Sequence, residues 1–153
     1  MMTQIIRYLG IDTRTQLLAE RLWGLLDESS DLVIADFYRR TRRSHVGFLL
    51  DERSIKRLMV KQKEHWHSLF NSGFDQAYLR GATKVGIMHR ELGLDPRWYV
   101  AGYALMKSRF TEQLLFDASI PPPLKVALVV TLEKYVAVDM ALTLSSYSDW
   151  LVD

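Results

Sequence analysis

Cysteine is absent from the 153 residues of this chain. That absence excludes a disulfide scaffold, a thiolate zinc site, an iron–sulfur cluster and a cysteine nucleophile. Proline is scarce, with four residues, and glycine contributes only eight, so long stretches carry no breaker. A charge of one sign is also lacking. Twenty basic residues stand against 18 acidic ones, a net charge of +2, too balanced to point to nucleic acid as a partner. The longest aliphatic run, Val126 to Val130, falls far short of the ~20 residues that span a bilayer. The opening MMTQIIRYLGIDTRTQ turns polar too early for a signal peptide, and the expected location is the cytoplasm. What is present is ordinary for a globular protein: 48% apolar and 25% charged residues. A chain of this length buries roughly two-thirds of its unfolded surface around one core. The expectation is a single domain over residues 1–153.

Apolar residues recur at three- and four-residue spacing, with no sustained alternation, which predicts an all-α fold. A first long helix is expected from about Arg14 to Leu26, with Leu18, Leu22, Leu25 and Leu26 inward. The polar DESSD at 27–31 interrupts the pattern, with Ser30 suited to cap a second helix. That helix carries Val33, Ile34, Phe37 and Tyr38 and ends in Arg39, Arg40, Arg42 and Arg43, cations that complement a helix C-terminus. Asp51 can cap a third helix with Ile55, Leu58, Met59, Gln62, Trp66, Leu69 and Phe70 inward, stopped by Asn71, Ser72 and Gly73. After the fourth helix, Gly93 suits a left-handed position, and Asp95 with Pro96 opens a fifth helix reaching about Asp117. Beyond Pro121, Pro122 and Pro123, a sixth runs into the 140s.

The fourth helix holds the chemistry. Tyr78, Ala82, Val85, His89 and Leu92 form one inward stripe. A histidine on such a stripe is either a neutral core imidazole with both nitrogens hydrogen-bonded or an axial ligand to haem iron, and periodicity does not choose. His65 and His67, two apart on a helix, cannot face one partner together, and no zinc site is expected. His45 falls in a loop.

Local sequence separates the two readings of His89. The segment Lys84-Val85-Gly86-Ile87-Met88-His89-Arg90-Glu91-Leu92-Gly93-Leu94-Asp95-Pro96-Arg97-Trp98-Tyr99-Val100-Ala101-Gly102-Tyr103 resembles the region around the proximal histidine of the globin-coupled sensors, bacterial haem-based sensor globins. Gln62-x-x-His65-Trp66-x-x-Leu69-Phe70 looks like that family's third-helix signature, Phe37-Tyr38 like its distal pair, and Val138-Asp139-Met140-Ala141-Leu142 is similar to its last helix. The resemblance covers nearly the whole chain.

The resemblance implies a globin-like all-α fold enclosing one haem b. His89 would be the proximal ligand, with Val85, Met88 and Leu92 beside it against the porphyrin. Tyr99 is the expected acceptor for the second imidazole nitrogen, since a ligated histidine usually donates its other N–H. Tyr38 is the expected distal donor. Bound dioxygen carries partial negative charge, and a hydrogen bond of roughly 1.5–3 kcal/mol to it corresponds to about ten- to a hundredfold in affinity. Adjacent helical positions differ by ~100°, so only one of Phe37 and Tyr38 is expected to point squarely inward. Leu58 and Met59 would wall the distal pocket, and Phe48 would pack on the porphyrin. The family often shows a basic residue where Met59 stands, so one propionate contact is missing or moved. Lys61 and Gln62 lie on or beside the inward face, where either would meet the ligand or a propionate; alternatively the Lys61 stem lines the pocket with its ammonium in solvent.

Val126, Leu128, Val129, Val130, Leu132, Tyr135, Val136, Val138, Met140 and Leu142 make the sixth helix apolar on more than one side, a mark of an interface. The resemblance implies a homodimer in which the last two helices form a four-helix bundle with a second copy. It further implies that residues 1–153 are the N-terminal sensor of a longer signalling protein. Within these residues the expected function is non-enzymatic binding of O2, and also of CO and NO, relayed to a C-terminal signalling domain. The alternative is a free-standing globin that consumes nitric oxide or peroxide.

Overall fold

The regular structure is helical, with no strand among the residues described by the computed structural model, 1–147. Residues 148–153 of the expected domain lie outside them. A short helix α1 (Met2–Tyr8) precedes α2 (Thr13–Arg43), α3 (Glu52–Asn71), α4 (Gln76–Glu91), α5 (Pro96–Phe116) and α6 (Pro122–Ser145), with one 3-10 turn at Gly47–Leu49.

The two helices expected between Arg14 and Arg43 are one. α2 runs 31 residues without interruption from a capping box in which the Asp12 carboxylate accepts from the Thr15 backbone N–H at 3.0 Å. Ser30 is not an N-cap. It is fully buried inside the helix, and its hydroxyl donates to the Asp27 carbonyl at 2.6 Å, the back-bonding that lets a serine sit mid-helix. The polar run contains neither glycine nor proline, and the buried stripe Leu22, Leu26, Ser30, Val33 and Ile34 continues through it. α1 has no buried residue, and its single short turn pattern gives no periodic signal.

α2 packs on α3, α5 and α6, while α4 lies chiefly against α6. Trp66 of α3 is completely buried at the centre, its ring 4.6 Å from Phe110, 5.6 Å from Tyr103 and 5.8 Å from Phe70. Between α3 and α4, Phe74 takes a left-handed conformation (φ 59°), a costly one for an aromatic residue. Its buried ring packs 4.8 Å from Tyr135 and 5.5 Å from Tyr78, which holds it there. Gly93 (φ 76°) closes α4 as expected, with Leu94 N–H donating to the His89 carbonyl at 3.1 Å in a Schellman arrangement. Two glycines mark close helix crossings. A Cβ at Gly102 of α5 would stand 2.9 Å from the Phe37 ring, and one at Gly86 of α4 would stand 2.5 Å from the Ser146 hydroxyl oxygen and 2.8 Å from the Thr143 carbonyl.

Candidate functional site

α3 and α4 part to leave a cavity of about 430 Å³. α3 presents Leu58, Lys61, Gln62 and His65 to it, positions that share one face of a helix. α4 presents Val85, Met88 and His89 from the other side, followed by Leu92, Leu94, Trp98 and Tyr99. Phe37, Tyr38 and Arg40 of α2 close the third side. The walls are predominantly apolar. Met88, Leu92 and Trp98 border the cavity yet remain 43%, 54% and 39% exposed. Large side chains left wet around a concavity are what a flat apolar guest would bury.

His89 borders the cavity with its Nδ1 buried and without a hydrogen-bond partner, and the Tyr99 hydroxyl is likewise buried and unpartnered. The two rings lie 5.6 Å apart. Burial, and then the charge of His65, holds the His89 imidazole below its ordinary pKa. The ring is therefore neutral near pH 7, the form that offers a lone pair to a metal. Tyr38 is 9% exposed, and burial pushes its phenol up to about 12, so it remains a hydroxyl donor. Phe37 and Tyr38 both border the cavity, their rings edge to face at 5.0 Å. The cavity is wide enough to take two adjacent helical positions.

Two expected residues stand apart. Phe48 is 81% exposed and off the cavity, because the 3-10 turn points it outward and directs Leu49 and Leu50 to the wall instead. Met59, one position on from Leu58, faces a separate surface cleft with Asp31, Ile34, Lys56, Val60, Lys63 and Glu64. Both Lys61 and Gln62 reach the wall, with Lys61 exposed and Gln62 half-buried.

The deep end of the cavity holds a cluster that the sequence reading missed. The Asp139 carboxylate of α6, 2% exposed, accepts from His65 Nε2 at 2.9 Å, from the Tyr78 hydroxyl at 2.5 Å and from the Tyr103 hydroxyl at 2.6 Å. One carboxylate thus joins α3, α4, α5 and α6. Burial alone would raise the Asp139 pKa, but the His65 charge and the three donors outweigh it and hold the group below its ordinary value. For His65 the balance is the mirror image: burial would lower it, and the charge and hydrogen bond of Asp139 hold it raised. His65 carried two signals, its place on the stripe of Leu58 and Gln62 and its place in the Gln62-x-x-His65-Trp66 motif. Asp139 carried one, a carboxylate set among the apolar Val136, Val138, Met140 and Leu142. Of the three tyrosines at this end, Tyr78 and Tyr103 donate to Asp139, while the partly buried Tyr99 has a hydroxyl with no hydrogen-bond partner.

Comparison with known proteins agrees with this geometry. A family model described as Protoglobin matches residues 1–151. The heme-based aerotactic transducer HemAT of Halobacterium salinarum is 24% identical over 115 residues, covering 73% of this chain and 24% of that protein. The chain therefore spans about a quarter of that relative's length. Among solved structures, the globin domain of the Geobacter sulfurreducens globin-coupled sensor superposes with a TM-score of 0.84 at 17% identity, over 95% of this chain and 96% of that one. The globin domain of E. coli DosC in its ferric form gives 0.74 at 13% identity, over 94% and 95%. The fold is that of these globin domains. No helix among the described residues is long and apolar enough to cross a membrane.

Proposed function

The chain belongs to the protoglobin family, and from that premise we propose that it is a haem-based gas-sensing domain that takes haem b between α3 and α4. The observation that carries this is the neutral His89, buried at Nδ1 with no partner and set in an apolar cavity. In this reading His89 would hold the haem iron, and Tyr99 would accept from its Nδ1–H, orienting the ring and raising its basicity. Val85, Met88, Leu92 and Trp98 bear on the proximal side, while Leu58 and Gln62 wall the distal side. Arg40 and Lys61, both exposed at the cavity, suit the propionate carboxylates. The haem supplies the iron at which a diatomic gas binds. Tyr38 would donate to such a ligand and favour the polarised O2 over CO; NO would be a further ligand.

The Halobacterium relative is by its name an aerotactic transducer, which supports a sensing role for this chain in place of turnover. Signalling requires the gas to favour one of two packings. The exposed Leu115, Phe116, Val126 and Val130 on α5 and α6 support a homodimer through these helices, from which a C-terminal signalling module would receive the signal. The test is an absorption spectrum of the chain loaded with haemin and reduced. A Soret band that shifts under O2 and is lost in His89→Ala is expected. A folded, colourless chain refutes the reading, and rapid reductant-dependent loss of nitric oxide would identify a consuming globin instead. Sedimentation giving a monomer at micromolar concentration would refute the dimer.

A further inference from the structure

The residues on either side of His89 are fastened to the end of α6. Three positions before it, Gly86 is where α4 and α6 cross with no room for a side chain: a Cβ there would stand 2.5 Å from the Ser146 hydroxyl oxygen and 2.8 Å from the Thr143 carbonyl. One position after it, the Arg90 guanidinium donates to the Ser146 backbone carbonyl at 2.9 Å. Ser146 is the C-cap of α6, so this carbonyl is one of the acceptors that a helix leaves unsatisfied at its end. A cation there also complements the helix dipole. Between the two fastenings, Thr143 borders the same cavity as His89 and Tyr99 and is 1% exposed. The Schellman closure holds the His89 carbonyl through Leu94 N–H, so the turn that carries His89 moves as a unit with Arg90.

We propose that Arg90, with the Gly86 crossing, is a positioning residue that delivers the state of His89 to the last turn of α6 within one protomer. This rests on His89 being the haem ligand. A displacement of the proximal turn moves the Arg90 guanidinium and the Gly86 backbone together; the first bears on Ser146 and the second on both Thr143 and Ser146. On the α4 side the crossing has no side chain to flex, and close-packed interiors transmit displacement in place of absorbing it. The segment that follows α6 is therefore addressed directly by the proximal helix, in addition to any signal that crosses a dimer face.

The test is hydrogen exchange followed by mass spectrometry on the haem-loaded chain, ferrous with and without CO, read on peptides covering residues 140–147. Wild type is expected to show a CO-dependent change of several-fold in exchange rate there. Arg90→Met should abolish that change and Arg90→Lys should restore it, since an ammonium still donates to the carbonyl; in both variants the Soret bands with and without CO should match wild type. A wild-type chain whose Soret band shifts with CO while these peptides do not respond overturns the proposal and leaves the haem reading intact. So does an Arg90→Met variant that responds as wild type does. Absence of any Soret band overturns the haem reading itself.

Discussion

Replacing Asp139 by asparagine should destabilise the chain more than any other isosteric change in it. The carboxylate is 2% exposed and accepts three donors from three other helices. An amide keeps one carbonyl for one phenol, but it turns N–H groups toward the remaining donors and leaves His65 without a counter-charge. Breaking a buried pair by removing one partner costs about 3–5 kcal/mol. For a chain of this size each kcal/mol moves the melting temperature by about 2–4 °C, so the drop should be roughly 6–20 °C. The pH dependence supplies an independent signature. His65 is raised above its ordinary 6.5, so its contribution is complete below that value and is lost as pH rises through the raised pKa. Asp139 is depressed below its ordinary 3.8, so its contribution is complete above that value and is lost as pH falls through the lowered one. Circular-dichroism melts of wild type should therefore peak in mildly acidic solution and decline as pH rises through the raised His65 pKa. In His65→Gln the alkaline decline should be smaller. An Asp139→Asn protein that melts within about 2 °C of wild type, equivalent to less than roughly 1 kcal/mol, would refute the reasoning.

Tyr38→Phe should speed O2 release about ten- to a hundredfold in stopped-flow, with CO release changed less. Tyr99→Phe should leave haem bound and lower the iron–histidine stretching frequency by resonance Raman, because the Nδ1–H loses its acceptor. Gly102→Ala forces a methyl to 2.9 Å from the Phe37 ring and should cost about 1–3 kcal/mol in urea unfolding.

Periodicity together with cap residues located α3, the end of α4 and the start of α5, because Asp51, Gly93 and Asp95-Pro96 are local signals that act within one turn. It divided α2 because a polar pentapeptide looks like a cap when its neighbours in space are unknown. Ser29 shows what decides the matter: its hydroxyl reaches Gln113 of α5 at 2.8 Å, a partner 84 residues away. At the site, Tyr38, Leu58, Val85, His89, Leu92 and Tyr99 were legible as members of helical patterns and Met88 through the family resemblance, and all seven border the cavity. Phe48 was not, because the direction of a side chain in a short 3-10 turn depends on the turn's orientation, which has no period. The Asp139 cluster was illegible for another reason. Its four members lie on four helices, and only the packing brings them within hydrogen-bond reach.

The unbroken α2 bears on how ligand affinity can be adjusted. It is a rod of 31 residues, roughly 46 Å long, with no joint between Trp23 in the core near its start and Tyr38 near its far end. The Tyr38 hydroxyl, the distal donor in the proposed function, therefore has no hinge within α2 on which to swing. Under the proposed function, repacking around Trp23 would tilt the whole shaft and carry the phenol with it, so that residues roughly twenty ångströms away would act as the fine adjustment of the distal pocket.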